Sequence, residues 1–383
     1  MDRNDIDDSI RSILLEHDVD PVRGFLPAVD PLHRLPDDFE PWEQLTQQLP
    51  TLIGQPHVLD AVCSLPSLDT RILDDEPKLR RAMLLLSILG NACVWSGAEP
   101  TLTLPPALCT PWAEVATRLQ RPMIIAHASI VLHNWTLVDP AIGFQPDNLR
   151  MLASFGGRPD EEWFYMVTVA IEACGARALP HLLAGASAAS NDDTDALARS
   201  LGIIADVIEA MTIELERMEE RCRHDVFYQH IRPYLTGWPE PGVVYEGVSD
   251  TPEILHGGSA AQSSLLNAID AGLDIPHDHP GTSVFLQAMR RYMPPRHRRF
   301  IEHLEAGPSI RDAAARQPAT RATFDRCIEA LTHFRRTHQA ITMRYITQQA
   351  PTTDDAIGTG GTDYADFLRR TRLETSQRKL DHS

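Results

Sequence analysis

The chain has 383 residues, more than one hydrophobic core usually organises, so we expect two domains. Hydrophobic residues make up 43% of the sequence and charged residues 23%, a balance that excludes wholesale disorder and fibrous proteins. The formal net charge of -18 repels phosphate backbones and anionic membrane surfaces, so neither nucleic acid nor a membrane is an expected partner.

The first part of the chain has no pattern of a secretory signal or a membrane anchor. Asp2, Asp5, Asp7 and Asp8 stand where a signal peptide would carry basic residues. The longest apolar stretch, residues 82–95, is shorter than the roughly 20 residues that span a bilayer. The six cysteines lie far apart without a CxxC pair, which argues against a zinc site and a disulfide framework. We therefore expect a reduced, cytoplasmic protein.

Apolar residues at helical spacing dominate the sequence. The clearest stripe begins at Leu197 and ends at Cys222, in steps of three and four residues. Residues 191–194 include two aspartates and a threonine that can cap a helix, so a helix of about 30 residues is predicted. The stripe could bind a partner chain, but packing within the chain is preferred because several other apolar helices can cover it.

Other segments have the same spacing, and strand patterns are short and few. The predicted helices cover residues 77–95, 161–174, 263–273, 283–292 and 321–346. The fold is therefore expected to be mainly α, with a large all-helical domain and a smaller, mostly helical N-terminal domain with few short strands. The turn-rich segment 139–148 puts the boundary near residue 150, which gives domains 1–150 and 151–383.

Three polar segments allow both a chemical and a structural interpretation. The Gly-Gly-Ser-Ala segment 257–260 lacks the last glycine of a nucleophile elbow, and it is either a linker or a turn whose N–H groups bind an anion. His277 and His279 have no third ligand at helical spacing, so a surface loop is predicted rather than a metal site. The basic cluster 290–299 is interpreted as a solvated helix end with acidic partners.

His338 lies on the apolar stripe of the last predicted helix, between Phe334 and Ile341, so its imidazole should face the interior. Most such histidines are satisfied core residues. Arg335, one turn earlier, adds a cation to the same surface. An apolar surface with an imidazole and a cation suits a haem, whose iron takes the nitrogen and whose propionate takes the charge. The residues alone leave both interpretations open.

Motifs along nearly the whole chain resemble one known family. They are GFLP at 24–27, NW at 134–135, YLTGW at 234–238, GGSAAQSS at 257–264, MRRYMPP at 289–295, FRRTH at 334–338, GTGGTD at 358–363 and FLRRTR at 367–372. A helical histidine followed by a glycine-threonine loop is a specific pairing. Together these motifs resemble the indoleamine 2,3-dioxygenase family of haem enzymes.

The resemblance implies that the large helical domain holds haem b through one protein ligand. His338 is implied as the iron ligand, and Arg335 as the residue that meets a haem propionate. Asp270 is implied as the ionic partner of Arg335, which would hold the arginine in place. Gly258 and Ser259 are grouped with the cofactor-binding residues.

The resemblance also implies a substrate pocket on the opposite face of the haem. The residues that match its wall are Phe164, Phe227, Leu235 and Ala260. Arg232 matches the arginine that binds the substrate carboxylate, a role suited to a planar guanidinium. Phe227, Arg232 and Leu235 are spaced five and three residues apart, within one broad helical face. Thr359 falls in the mobile loop that closes over the substrate.

At two positions next to this pocket the sequence departs from better-studied members of the family. His127 stands where they carry tyrosine, and Thr168 stands where they carry serine. Either change alters the polarity beside the bound indole, and His127 adds a group that titrates near neutral pH. Both residues are included among the predicted substrate-binding residues.

The implied reaction inserts both atoms of molecular oxygen across the indole C2–C3 bond of L-tryptophan, which gives N-formylkynurenine in the kynurenine pathway. The haem carries the chemistry, so no catalytic acid or base is expected. The enzyme is expected to be a monomer. Two alternatives stay open: a haem dioxygenase acting on another indole derivative in a biosynthetic pathway, and a low-turnover haem-binding or interaction protein that uses the 197–222 stripe or the acidic N terminus as a partner surface.

Overall fold

The structure, a computed structural model, describes residues 6–54, 57–66, 68–351, 358–359 and 363–380. Most of the described residues are helical and the strands are few and short, which confirms the prediction of a mainly α fold. One helical stretch, Pro159–Ser190, is long and apolar enough to span a membrane, but 72% of its apolar window is buried inside the protein. Its composition is that of a core helix.

Most of the α-helices before residue 150 pack around one central helix. They are α1 (Asp8–Glu16), α2 (Glu40–Leu52), α3 (Val58–Cys63), α4 (Glu76–Trp95) and α5 (Pro106–Leu119). The central helix is α4, which begins where the Asp75 carboxylate accepts a hydrogen bond of 2.9 Å from the backbone N–H of Lys78. Residues all around its circumference are buried, as expected for a helix inside a core.

The second half of the chain is almost entirely helical. Its α-helices are α6 (Pro159–Gly175), α7 (Ala178–Ser190), α8 (Thr194–Glu216), α9 (Met218–Arg221), α10 (His224–Val226), α11 (Ser264–Gly272), α12 (Pro280–Arg290), α13 (Pro295–Glu305), α14 (Ile310–Ala314), α15 (Pro318–Thr342) and α16 (Tyr364–Ser376). Helix α8 packs most extensively against α15, and then against α7. These long helices form the frame on which the cleft described below is built.

Helix α8 carries the predicted apolar stripe. It begins where the Asp193 carboxylate accepts a hydrogen bond of 2.9 Å from the N–H of Ala196. The stripe is buried under α7 and α15, so the interpretation of it as a surface for a partner chain is wrong. The helix has 23 residues rather than about 30, because it is interrupted at Arg217 and the stripe continues on α9.

Two small sheets complete the described fold. The strands are β1 (Thr103–Leu104), β2 (Thr136–Leu137), β3 (Leu149–Arg150), β4 (Val243–Tyr245) and β5 (Ser249–Glu253). Strand β4 is central in the first sheet, parallel to β1 with Thr103 opposite Val244, and antiparallel to β5. Strands β2 and β3 form an antiparallel pair with Thr136 opposite Arg150. The first sheet thus joins a strand from each half of the chain.

Contacts cross residue 150 at several points. Asn91 of α4 donates a side-chain hydrogen bond of 3.1 Å to the carbonyl of Tyr234. Arg296 of α13 donates hydrogen bonds of 2.6 and 2.9 Å to the carbonyls of Leu15 and Glu16, at the end of α1. Buried apolar residues form one cluster through both halves. The division into domains 1–150 and 151–383 stays a prediction.

In the part of the chain that the structure describes, Arg290 of the basic cluster 290–299 has the expected acidic partner. Arg290 pairs with Glu305 at 2.5 Å. Arg296 instead binds the backbone carbonyls at the end of α1, where it neutralises the negative end of the helix dipole. The prediction of acidic partners is therefore wrong for Arg296, whose interaction ties the two halves of the chain together.

Candidate functional site

A mainly apolar cleft with a cavity of about 250 Å³ opens between α6, α15 and the segments that follow α10 and β5. Two helices supply its facing residues at helical spacing. Helix α6 contributes Phe164, Thr168 and Glu172, which are four residues apart and so share one face. Helix α15 contributes Phe334 and His338 in the same way. Two helices that are far apart in the sequence, α6 and α15, thus line the same cleft.

Three π-helical turns among the described residues border this cleft. They are Ala128–Leu132, Phe227–Ile231 and Met343–Thr347. A π-turn inserts one extra residue into a helix and so turns side chains toward a new direction, and such turns are frequent at functional sites. Each of the three contributes at least one residue to the cleft lining.

Aromatic rings from different elements form one wall of the cleft. The ring centroids of Phe164 and Phe227 lie 4.8 Å apart, and those of Phe227 and Tyr345 lie 5.5 Å apart. Such distances are typical of favourable aromatic pairs. Thr168 lies beside them, and its hydroxyl donates a hydrogen bond of 2.9 Å to the carbonyl of Phe164. The wall can therefore bury a flat aromatic ligand with little polar surface opposed to it.

His338 is a neutral imidazole in this cleft. Burial, and then the positive charge of Arg335, lowers the pKa of His338 to about 4. Among the described residues, no hydrogen bond reaches either ring nitrogen of His338. A neutral imidazole with an unengaged nitrogen is the form that binds a metal centre.

Behind His338, the Arg335 guanidinium is held in a buried ionic network. Its Nη2 donates hydrogen bonds of 2.7 and 2.6 Å to the two carboxylate oxygens of Asp270, and Nη1 bonds Thr375. Burial alone would raise the pKa of Asp270, but the charge of Arg335 and a hydrogen bond from His277 lower it below its usual value. The pair that the resemblance implied is present, and its role toward a propionate stays a prediction.

His277 is the second partner of Asp270, which corrects its interpretation as part of a surface loop. Its Nε2 lies 3.1 Å from Asp270 and its Nδ1 lies 2.7 Å from Glu374 of α16. The side chain is only 10% exposed because the two carboxylates draw it inward. His279 remains exposed and contacts Arg370.

Three backbone segments meet at close range beside the cleft. The carbonyl of Thr359 accepts hydrogen bonds from the N–H groups of Gly237 and Gly257, at 3.2 and 3.3 Å, and its hydroxyl donates to the Gly258 carbonyl at 2.7 Å. A Cβ at Gly257 would lie 2.0 Å from the carbonyl oxygen of Leu235, so only glycine fits there. The segment 257–260 is thus a tightly packed turn, and the prediction of a flexible linker is wrong. Residues 360–362 of the predicted mobile loop, the segment 358–363, lie outside the described residues.

A group of three polar side chains lies among the apolar ones. His127 Nε2 is 2.9 Å from Glu172 Oε1, and the Ser263 hydroxyl donates to the same oxygen at 2.7 Å. All three side chains are buried and line the cleft. Glu172 and Ser263 were not predicted as site residues. Glu172 had one signal in the sequence, because it continues the spacing of Phe164 and Thr168 along α6.

Most of the predicted site residues come together in the cleft. Those that line it are His127, Phe164, Thr168, Phe227, Leu235, Gly258, Ser259, Ala260, His338 and Thr359. Arg335 and Asp270 lie outside its lining, in the network behind His338. Arg232 also lies outside the lining, with its guanidinium 5.2 Å from the centre of the Tyr228 ring.

The prediction that Phe227, Arg232 and Leu235 share one regular helical face is wrong. Phe227 begins a π-turn, whereas Arg232 and Leu235 lie in the 3₁₀ turn that follows. Pro233 lacks a backbone N–H and so cannot continue an α-helix through this point. The change of helix type rotates Arg232 away from the other two residues.

The side chains fit a haem. A neutral imidazole with an unengaged nitrogen is a suitable axial ligand, apolar and aromatic walls suit the macrocycle, and the fixed cation of Arg335 one turn from His338 suits a propionate. No cluster of three or more His, Cys, Asp or Glu side chains that could hold a bare metal ion is found within the described ranges.

Comparison with known proteins gives one consistent result. The family described as indoleamine 2,3-dioxygenase matches residues 13–378. Indoleamine 2,3-dioxygenase 1 of Rattus norvegicus is 34% identical, over 97% of this chain and 96% of that protein. Indoleamine 2,3-dioxygenase 2 of Mus musculus is 35% identical, over 93% of each chain. Indoleamine 2,3-dioxygenase nanC of Aspergillus nanangensis is 35% identical, over 94% of this chain and 95% of that protein.

Proposed function

Because this chain belongs to the indoleamine 2,3-dioxygenase family and is a haem-dependent dioxygenase, we propose that its substrate is L-tryptophan and its product N-formylkynurenine. The observation that carries this proposal is that one apolar cleft contains both the neutral imidazole of His338 and the aromatic pair Phe164 and Phe227. Such a cleft offers an iron ligand and a site for a flat indole within the same space. We further propose that the enzyme is a cytoplasmic monomer of the kynurenine pathway.

In this proposal His338 holds the haem iron and Arg335 holds a propionate. The haem b, when bound, supplies the oxygen chemistry of the reaction. Asp270 fixes the Arg335 guanidinium through two hydrogen bonds, so the cation has little freedom to lose when it binds an anion. The turn at Gly258 and Ser259 packs against Thr359 and closes one side of the cofactor space.

The aromatic and aliphatic wall orients the indole. Phe164 and Phe227 offer ring surface, and Leu235 and Ala260 add apolar contact at their edges. The Thr168 hydroxyl already donates its hydrogen bond to the backbone, so it has no donor left for the substrate. In this proposal burial of the indole against this wall positions its C2–C3 bond. Thr359, bonded to Gly237, Gly257 and Gly258, excludes water from the cleft.

We propose that Arg232 binds the carboxylate of the substrate at the mouth of the cleft. It follows directly on the π-turn that begins at Phe227 and precedes Leu235 by three residues, so it lies close to the indole site although outside its lining. A carboxylate entering an apolar cleft needs a cationic partner, and a guanidinium can bind it with two parallel hydrogen bonds.

A second candidate substrate is another indole derivative of a biosynthetic pathway. The observation that favours it is the polar group of His127, Glu172 and Ser263 in a cleft that is otherwise apolar. An unsubstituted indole has no evident use for a carboxylate at that place, because burying such a group is costly unless it serves a partner.

The test is the product formed by the haem-loaded protein. The ferrous protein should give a Soret band that shifts with carbon monoxide, and with L-tryptophan and labelled oxygen it should yield N-formylkynurenine containing two labelled atoms, as seen by mass spectrometry. No product from L-tryptophan, together with product from another indole, would favour the second candidate. A haem spectrum without turnover of any indole would favour the low-turnover binding protein and overturn both substrate proposals.

A further inference from the structure

We infer that Glu172 fixes the tautomer of His127 so that His127 Nδ1 offers a hydrogen-bond acceptor to the indole cleft, and that this pair selects indoles with a hydrogen-bond donor on the benzo ring. The inference rests on the proposed function, a cleft that binds an indole, and it develops the second candidate substrate, because L-tryptophan has no hydrogen-bond donor on its benzo ring. It concerns residues that play no part in holding the haem.

The pair is built from three separate parts of the chain. His127 precedes the π-turn Ala128–Leu132, Glu172 lies on α6, and Ser263 caps the start of α11. The side chains of His127 and Glu172 are 5% and 3% exposed. The backbone N–H of His127 donates a further hydrogen bond of 3.0 Å to the side-chain oxygen of Gln262. His127 is therefore held in position from both its backbone and its ring.

The hydrogen bonds around Glu172 decide which ring nitrogen of His127 carries the proton. A carboxylate only accepts, so the contact of 2.9 Å with His127 Nε2 requires a hydrogen on Nε2. In a neutral imidazole the other nitrogen, Nδ1, then carries a lone pair. Nδ1 has no hydrogen-bond partner among the described residues, and His127 lines the cleft. The ligand therefore meets an acceptor at this point.

The position of the pair relative to the aromatic wall assigns the ring edge of the ligand. Phe164, Thr168 and Glu172 follow one face of α6, each about 5.4–6 Å from the next. Glu172, with the His127 ring bonded to it, thus lies about two helical turns along α6 from Phe164. An indole packed on those rings points an edge along α6 toward the pair, where a hydroxyl on the benzo ring can donate to Nδ1.

The remainder of the local lining strengthens this preference. Ile130, Val131 and Ile171 line the same cleft, and none of them can bond a polar ligand through its side chain. The second carboxylate oxygen of Glu172, Oε2, is also buried, with no hydrogen-bond partner in the described chain. A ligand without a donor would leave His127 Nδ1 and Glu172 Oε2 buried without a hydrogen bond. Sites built to bond a donor reject analogues that lack it.

The experiment measures dissociation constants of the haem-loaded protein, all at one fixed pH. The ligands are the four ring-hydroxylated tryptophans, each compared with the ring-methylated tryptophan of the same position. One hydroxylated isomer should bind at least about tenfold tighter than its methyl counterpart, which corresponds to about 1.4 kcal/mol. In His127→Phe this preference should disappear, and in His127→Gln, whose amide oxygen still accepts, it should be largely kept. The exposed His303 provides a control, because His303→Gln should leave the preference unchanged.

Three results would overturn the inference. In the unaltered protein, equal affinities for the hydroxylated and methylated tryptophan at every position would show that His127 Nδ1 does not accept a hydrogen bond from the ligand. A preference that survives His127→Phe would place its origin elsewhere. His127→Phe could also abolish the preference for tryptophan over indole-3-propionate and leave the hydroxyl series unchanged. In that case the donor that bonds His127 would be the ammonium group of the amino acid. Product formation is measured separately, so binding preference without turnover would contradict the proposed function and leave this inference standing.

Discussion

Replacing Asp270 by asparagine tests the network that holds Arg335. The substitution keeps the size of the side chain and removes the charge that accepts two hydrogen bonds, of 2.7 and 2.6 Å, from the guanidinium. Arg335 is only 12% exposed, so it would keep a buried charge without an equivalent anion. His277 would retain Glu374 as a partner. The expected result is a less stable protein that also holds haem less tightly.

The expected loss of stability follows from the burial of the pair. Removing one partner of a buried ion pair costs about 3–5 kcal/mol, and the lower end applies because both side chains keep slight exposure. An unfolding entropy of about 2.1 cal/mol/K per residue gives about 0.8 kcal/mol/K for this chain of 383 residues. Asp270→Asn should therefore lower Tm by about 4 °C in the cofactor-free protein.

The assay is thermal unfolding followed by circular dichroism, together with the rate at which haem passes to an acceptor protein. Asp278→Asn is the matched control, because it changes the same residue type on an exposed position of the neighbouring loop. Its effect should stay within about 0.5 kcal/mol, or less than about 1 °C. Equal shifts for the two variants would refute the reasoning that the buried ion pair stabilises the fold, and unchanged haem loss would separate Arg335 from the propionate.

Three further substitutions test separate residues. His338→Gly should abolish the axial imidazole signature in the ferrous absorption spectrum, and free imidazole should restore it. Retained ligation without added imidazole would show that another residue binds the iron. Arg232→Ala should keep the haem spectrum but weaken L-tryptophan binding about 10- to 100-fold, the value of a charged hydrogen bond, and an unchanged dissociation constant would exclude Arg232 as the carboxylate partner. Burial alone would lower the pKa of His277, but a hydrogen bond and the charge of Asp270, with a hydrogen bond to Glu374, raise it. The stabilisation that protonated His277 provides is therefore complete below about pH 6.5 and is lost as pH rises through the raised pKa. The free energy of unfolding in urea should therefore fall less between about pH 6 and 9 for His277→Gln than for the unaltered protein. The same fall with pH in both proteins would contradict this linkage.

Local sequence signals located the longest helices, because helix formation depends on neighbours three and four residues away. Helices α2, α5 and α7 were not predicted. The predicted cap at residues 191–194 and the apolar stripe of α8 agree with the structure, in which the Asp193 side chain caps the helix. The end of α8 was missed since Arg217 interrupts the helix without a proline or glycine. The irregular turn after Phe227 was missed for a related reason: a π-turn leaves the composition of a helix unchanged and alters only its hydrogen bonds.

Side-chain partners far apart in the chain were harder to predict. Arg335 and Asp270 were paired through the family resemblance, and their separation of 65 residues offers no local signal. His277 was misassigned for the same reason, because Glu374 lies 97 residues away. Flanking prolines are typical of an exposed loop, but two carboxylates brought close by the fold outweigh the tendency of that segment to remain in solvent.

The polar group in the cleft marks the limit of what a single sequence can specify. Phe164, Thr168 and Glu172 share one face of a helix whose other residues are largely apolar, so the sequence already requires that a carboxylate be buried there. A buried carboxylate is stable only with donors around it, so partners had to exist. Their identity depends on contacts across 45 and 91 residues, to His127 and Ser263, and only the fold brings those together. A lone acid on an apolar helical face is therefore a signal to search for donors elsewhere in the chain. In this protein that search leads to His127, which the family resemblance places among the proposed substrate-binding residues.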